Sequence, residues 1–243
     1  MDHTTVDGIF LGDIMAIDYT PFFEEYKKIV DAADQAFERI ESEYPDCVKC
    51  HPRCADCCHA LFDLTFIEAL YINHHFNERF SGKDRDDLLA KSNQADRKIY
   101  KIKRAAHKAN MEGKSEDDIL GFLSEERVRC PLLNQGDQCD LYEYRPITCR
   151  LYGVPTAIRG KGHTCGLSGF LSGQAYPTVN IDNIHRRLYQ ISLNLIRSVQ
   201  SKHIKMADLL VPVSMALLTE FDDAYLGVPD PEKDREKAGG KNE

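Results

Sequence analysis

Residues 47–60 read CVKCHPRCADCCHA, five cysteines in fourteen positions, closing on the adjacent pair Cys57-Cys58. Cys47-x2-Cys50 is a two-thiolate bite, because two intervening residues let a loop fold back and aim both sulfurs at one point. Cys54, Cys57 and Cys58 stand at i, i+3 and i+4, a spacing that predicts a helical turn carrying all three on one face. Neighbouring side chains leave a helix about 100° apart. The pair therefore points either to two adjacent sites or to a multi-atom cluster wide enough to meet both sulfurs.

The rest of the chain sets the chemical context of these thiols. It has 243 residues, 42% hydrophobic and 29% charged, an ordinary soluble composition with room for one good core or two small ones. No stretch approaches the roughly 18–20 apolar residues of a membrane-spanning helix, and the opening MDHTTVDGIFLGDIMAIDYT is acidic where a signal peptide is basic and apolar. The expected location is the cytoplasm, where thiols stay reduced and clustered cysteines more often bind metal or react than form a disulfide framework. A formal charge of -8 gives no support to a nucleic-acid binder. All nine cysteines lie between Cys47 and Cys165. The expected organisation is an N-terminal extension over 1–19, a single helical domain over 20–227 with its metal-binding core at about 47–165, and a disordered tail over 228–243.

Downstream, CPLLNQGDQCDLYEYRPITCRLYGVPTAIRGKGHTCG supplies Cys130, Cys139, Cys149 and Cys165, too widely spaced for one knuckle. They read as loops converging on a centre that the first window also serves. Asn134 to Asp137 is a turn signal, and Arg145-Pro146 starts a short helix presenting Cys149 and Arg150. Four thiolates around a divalent ion sum to a buried negative charge, which needs donors around it. Arg145 and Arg150 are the candidates, with Tyr142 packed or hydrogen-bonded against the centre.

Elsewhere the periodicity is helical. Thr20-Pro21 opens a helix over 20–44 that Pro45 stops, with Thr20 as its cap. Thr65 and Glu68 have capping-box form, so a helix runs from there to about Phe80 and ends at Ser81-Gly82. A long helix spans Asp84 to Asn110, with Gly113 closing it. Shorter helices follow from Ser115 through Leu123 and from Asp182 to about Ser201, and Asp208 to Phe221 reads as a helix kinked or started by Pro212. No segment alternates as a strand does, so the expected fold is mainly α, with irregular Cys-rich loops organised around a metal centre.

Cys50 to Cys58, then Cys130-Pro131-Leu132-Leu133, then Cys139-x2-Tyr142-Glu143-x-Arg145-Pro146-x2-Cys149-Arg150 resemble the bacterial YkgJ-type CxxCxxCC cysteine-cluster family, described as zinc- or iron-chelating. The family pattern has two residues between its second and third cysteines, where three separate Cys50 from Cys54. The resemblance implies metal binding. Its relatives include flagellin lysine N-methylases, for which it implies an iron–sulfur cofactor.

All-thiolate ligation suits zinc and iron–sulfur clusters alike. The expected ligands are Cys47, Cys50, Cys54, Cys57, Cys58, Cys130, Cys139, Cys149 and Cys165, Cys47 being the member outside the tighter pattern. The expected cofactor is an iron–sulfur cluster, [4Fe–4S] in type, with zinc as alternative or second site, used in redox or metal-handling work. Two alternatives stay open: a cluster-dependent enzyme such as a protein lysine N-methylase-like protein, and a zinc-stapled interaction module. His51, His59 and His163 lie within two residues of cysteines and could replace a thiolate. The basic face from Arg97 to Lys108 is a solvated helix face or a dock for an acidic protein. His74, His75 and Glu78 have metal-binding character, but such sites draw partners from other helices, and only one such helix is visible.

Overall fold

The computed structural model describes residues 17–229. The tail expected from 228 and the extension expected over 1–19 fall almost entirely outside these residues. Among the described residues are eight α-helices: α1 (Thr20–Glu43), α2 (Phe66–Arg79), α3 (Gly82–Met111), α4 (Glu116–Glu125), α5 (Ile147–Leu151), α6 (Ile181–Ser198), α7 (Val213–Leu218) and α8 (Asp223–Leu226). Five short strands join them: β1 (Leu64–Thr65), β2 (Thr156–Ile158), β3 (Lys161–His163), β4 (Val179–Asn180) and β5 (Leu210–Val211). The fold is mainly α, as the periodicity predicts.

Helix α2 lies between two hydrophobic cores. On one side Phe66, Ile67, Leu70 and Tyr71 pack with α1, α5 and α6 through Tyr26, Ile29, Leu151, Leu188 and Leu195. On the other, Ala69, Ile72 and Phe76 pack with Leu88 of α3, Ala216 and Leu217 of α7, and the loop residues Leu132 and Leu141. Such two-sided burial leaves Phe66 through Asn73 buried without a break. Helix α3 is the contrast: Leu88, Ala95, Ile99, Ile102 and Ala106 are buried, while Arg97, Lys101, Arg104 and Lys108 are exposed. Side chains three and four residues apart share a helix face, so one helix carries both stripes.

The capping signal at Thr65 does more than start a helix. The buried Glu68 carboxylate accepts from the Thr65 N–H at 2.9 Å and from its hydroxyl at 2.7 Å, while its other oxygen accepts from the Ile147 N–H at 3.0 Å. One side chain thereby caps α2 and pins the first residue of α5, 79 positions away. Orphan N–H groups at two helix starts are satisfied together.

Three expectations need correction. Thr20 is helical rather than the cap of α1; Tyr19 is the cap residue, and Asp18 supplies the oxygen that accepts from the Thr20 N–H at 2.9 Å. Ser81-Gly82 not only ends α2 but opens α3, with Ser81 as cap residue and Gly82 at φ +54°. The expected helix from Asp208 to Phe221 is broken into a 3-10 turn (Ile204–Asp208), β5, α7 and the start of the approach to α8. Pro212, which has no N–H to give and restrains the residue before it, sits at the cap position of α7. β5 pairs antiparallel with β1, Leu64 opposite Val211, so tertiary pairing wins over local helical periodicity there.

Glu68→Ala should lower the unfolding free energy by about 2–5 kcal/mol, because it leaves two buried N–H groups unpartnered. The urea midpoint reads this directly, and an unchanged midpoint would show that the carboxylate does not hold α5 to α2.

Candidate metal centre

The window around Cys50 to Cys58 is not one helical turn. The Cys54 N–H donates to the His51 carbonyl at 2.9 Å, with Pro52 and Arg53 between them and Arg53 at φ +74°. Proline followed by a left-handed residue makes a tight reverse turn, which swings Cys54 away from its expected neighbours. Only Cys57–His59 is helical, as a single 3-10 turn. The i, i+3, i+4 expectation therefore fails for Cys54 and the five cysteines divide.

Cys57 and Cys58 remain together, their sulfurs 4.0 Å apart. Backbone pairing brings the second segment to them: the Cys130 N–H donates to the Cys58 carbonyl at 2.7 Å, and the Val128 N–H to the His59 carbonyl at 3.0 Å. Cys139 returns beside Cys130 through a tight turn, in which the Leu133 and Cys139 backbones bridge and the Asn134 side-chain oxygen accepts from the N–H groups of Gly136 and Gln138. That is the turn the Asn134–Asp137 signal predicts. Cys149 arrives on α5, whose start Glu68 holds.

These five cysteines line one cavity of about 50 Å³, together with Arg145, Pro146 and apolar side chains that include Phe62, Ile72, Leu132 and Leu141. Three separated chain segments supply the sulfurs, and none of the nine cysteines is in a disulfide. Nearby backbone N–H groups, those of Leu132 and Leu133 for Cys130 and that of Leu141 for Cys139, pull the two thiols down. Burial still pushes the Cys130 thiol up to about 12 and raises Cys139. Cys57 behaves oppositely: hydrogen bonds from Cys149 and then Cys58 hold it well below the usual thiol range, with Arg145 pulling the same way against burial. The bond to Cys57 and burial push Cys58 and Cys149 up. A bound cation would act on these thiols by displacing their protons.

A second group gathers beside it. Cys165 lies 3.5 Å from an Asp56 oxygen and accepts from the Leu167 N–H at 3.4 Å, and Asp56 pairs with Arg127. Cys50 is raised to about 11 by burial, then by the neighbouring charges of Cys54, Cys165 and Cys57. Gly153 explains how Cys50 gets there, since a Cβ at this buried glycine would overlap the Cys50 sulfur and stand 3.3 Å from the Phe37 ring. No sequence motif singles out Gly153. Cys47 packs against the main core, with its carbonyl accepting from the Gly169 N–H at 2.8 Å.

The two arginines have different surroundings. Arg145 lines the cavity, its guanidinium 3.5 Å from the centroid of the Tyr142 ring and its Nε donating to the Tyr142 carbonyl at 2.9 Å. Tyr142 is itself exposed, so it positions Arg145 rather than meeting the sulfurs. Arg150 is buried and donates to Asp34 of α1 at 2.6 Å and to the carbonyls of Arg145 and Glu143. It braces the loop before Cys149 against α1. His51 and His59 contact the nearby carbonyls of Pro52 and Ala55 through Nδ1, and His163 is exposed on β3. β2 and β3 form a hairpin turning at Arg159-Gly160, both at positive φ, which is where the glycines around Lys161 permit a tight turn before Cys165.

Fold and site together define a helical metal-binding domain built on clustered cysteines. Residues 49–166, just under half of the chain, match the family model described as "CxxCxxCC: Putative zinc- or iron-chelating domain", the family that the cysteine motifs resemble. No curated protein and no solved structure matches the chain. No helix among the described residues is long and apolar enough to cross a membrane.

Gly153→Ala should push the Cys50 sulfur towards solvent and restore an ordinary thiol acidity, so that Cys50 is alkylated roughly tenfold faster in reduced, metal-depleted protein near pH 8. Mass spectrometry of the labelled peptide gives the rate, and equal rates would show that the close backbone approach exerts no hold on Cys50.

Proposed function

We propose that this protein holds an iron–sulfur cluster in the cavity, ligated from among Cys57, Cys58, Cys130, Cys139 and Cys149, for redox or metal-handling work. Cys50, Cys54 and Cys165 form a second thiolate position beside it, suited to zinc. The observation that carries this reading is the convergence of five unpaired sulfurs from three chain segments on one cavity with Arg145 and backbone N–H donors.

Spacing favours a cluster over a single ion in the cavity. Four sulfurs at ~2.3 Å from a zinc ion stand roughly 3.8 Å apart, a separation that Cys57 and Cys58 approach. Among the described residues, no three of the sulfurs lie mutually within 4.8 Å, so the cavity set is wider than one ion requires, and Cys50, Cys54 and Cys165 would have to draw together around zinc. The volume, about 50 Å³, admits a small inorganic group, whereas pockets for organic ligands run to roughly 300–1,000 Å³. A bound cluster supplies one-electron chemistry, and cluster charge, hydrogen bonds to sulfur and exposure set its potential. Here Arg145 and the N–H groups of Leu132, Leu133 and Leu141 lower the cost of negative sulfur in an apolar setting. Apolar side chains make up most of the rest of the lining.

Anaerobically prepared protein should contain iron and acid-labile sulfide and absorb in the visible. Cys130→Ser should lose the sulfide and the colour, while Cys50→Ser keeps both and loses zinc. Colourless protein with zinc alone would overturn the cluster assignment. Adding a divalent ion to reduced, metal-depleted protein at neutral pH should release about two or more protons per ion, since Cys58, Cys130 and Cys149 are held protonated. The sign follows from the raised thiols: uptake weakens as pH falls. A weakly buffered titration counts the protons, and release of none would show that these thiols do not ligate.

A further inference from the structure

Helix α2 carries a second set of metal-type donors on another face. Ile72 lines the cysteine cavity, whereas His74 and Glu78, about 200° or more further round the helix, line a separate groove with Tyr19, Asn73, Asn77 and Phe221. The groove holds about 340 Å³, within the range of small-molecule sites. His74 Nε2 lies 3.2 Å from one Glu78 oxygen and His75 Nδ1 lies 2.8 Å from the other. One ligand atom from each of the three residues falls within 4.8 Å of the other two.

Packing, more than hydrogen bonding, orients the His75 ring. It stacks on Tyr144 with centroids 3.7 Å apart and planes at 16°, and meets Tyr71 edge-on at 4.5 Å. Its Nε2 is buried with no hydrogen-bond partner, which leaves Nδ1 as the nitrogen turned to Glu78. His74 lies against Phe23 at 5.2 Å. The objection that one helix is too few is met by geometry: i, i+1 and i+4 on a single turn already bring three donors together, and α1, the residue before it, and Phe221 wall the remaining side.

We propose that His74, His75 and Glu78 form a divalent transition-metal site of two imidazoles and one carboxylate, with its free coordination positions facing the groove. Such a donor set suits zinc or ferrous ion, and three protein ligands leave room for water or a small oxygen- or nitrogen-bearing ligand in the groove. The site shares no residue with the cysteine cavity and does not depend on what that cavity holds. Tyr144 stacks on His75 and directly precedes Arg145, which gives the two sites a structural link.

Cobalt(II) distinguishes them, because thiolate ligation gives an intense sulfur-to-metal charge-transfer band that nitrogen and oxygen ligation lacks. Full-length reduced protein, its cysteine centres first saturated with zinc, is titrated with cobalt(II) and bound metal is counted by equilibrium dialysis. One further ion per chain should bind, with ligand-field bands and no thiolate band. His74→Ala and Glu78→Gln should each weaken it about tenfold or more, and the double variant should abolish it. Both side chains are substantially exposed, 41% and 58%, so the fold tolerates these changes, which circular dichroism verifies. Cys130→Ser should retain the additional ion. Absence of a further ion in the wild type, full retention in the double variant, or loss in Cys130→Ser would each overturn the assignment.

Discussion

Crowding sulfur ligands into an apolar interior is the constraint from which the rest of this structure follows. Each thiolate withdrawn from water is costly unless a donor or cation meets it. The protein meets that cost locally. Cys149, Cys58 and Arg145 together lower the Cys57 thiol, Arg145 stands at the cavity wall, and the amides of Leu132, Leu133 and Leu141 pull the Cys130 and Cys139 thiols down. Arg145 in turn is held over Tyr142, and Arg150 is committed to Asp34 and two carbonyls, so the loop before Cys149 cannot drift from α1.

The helical scaffold serves that local chemistry by fixing where loops begin and end. Glu68 ties the start of α2 to the start of α5, which carries Cys149. Pairing of residues 58–60 with 127–130 brings Cys130 against Cys58. Irregular backbone is tolerated between these anchors because each turn has its own partner, as at Asn134, whose side chain satisfies the N–H groups the loop would leave bare. Helix α2 is thus a shared wall: the cysteine cavity touches one face and the groove lined by His74 and Glu78 another.

Much of the helical plan was legible from local signals, because caps, prolines and three-to-four-residue periodicity act within a few positions of each other. Helices α1 to α4 and α6 fall where Pro21, Thr65, the Ile99 stripe, Ser115 and the Ile184 to Leu195 pattern put them. The segment after Asp208 reads as a helix because its apolar residues satisfy a helical period, while β1 offers Leu210 and Val211 backbone partners 145 and 147 positions away. Local pattern carries no information about such a partner.

The cysteines themselves divide along the same line. Their number, their confinement to residues 47–165 and the Cys50–Cys58 and Cys139–Arg150 motifs determined by themselves that this is a cysteine-cluster metal-binding domain, since residue type and short spacing set donor chemistry. Which sulfurs stand together was decided only in three dimensions. The Pro52-Arg53 turn separates Cys54 from Cys57, the bare Gly153 makes room for Cys50, and Cys47 joins the hydrophobic core. Those outcomes depend on steric contacts and backbone pairing between segments far apart in the chain, and no spacing within one segment encodes them.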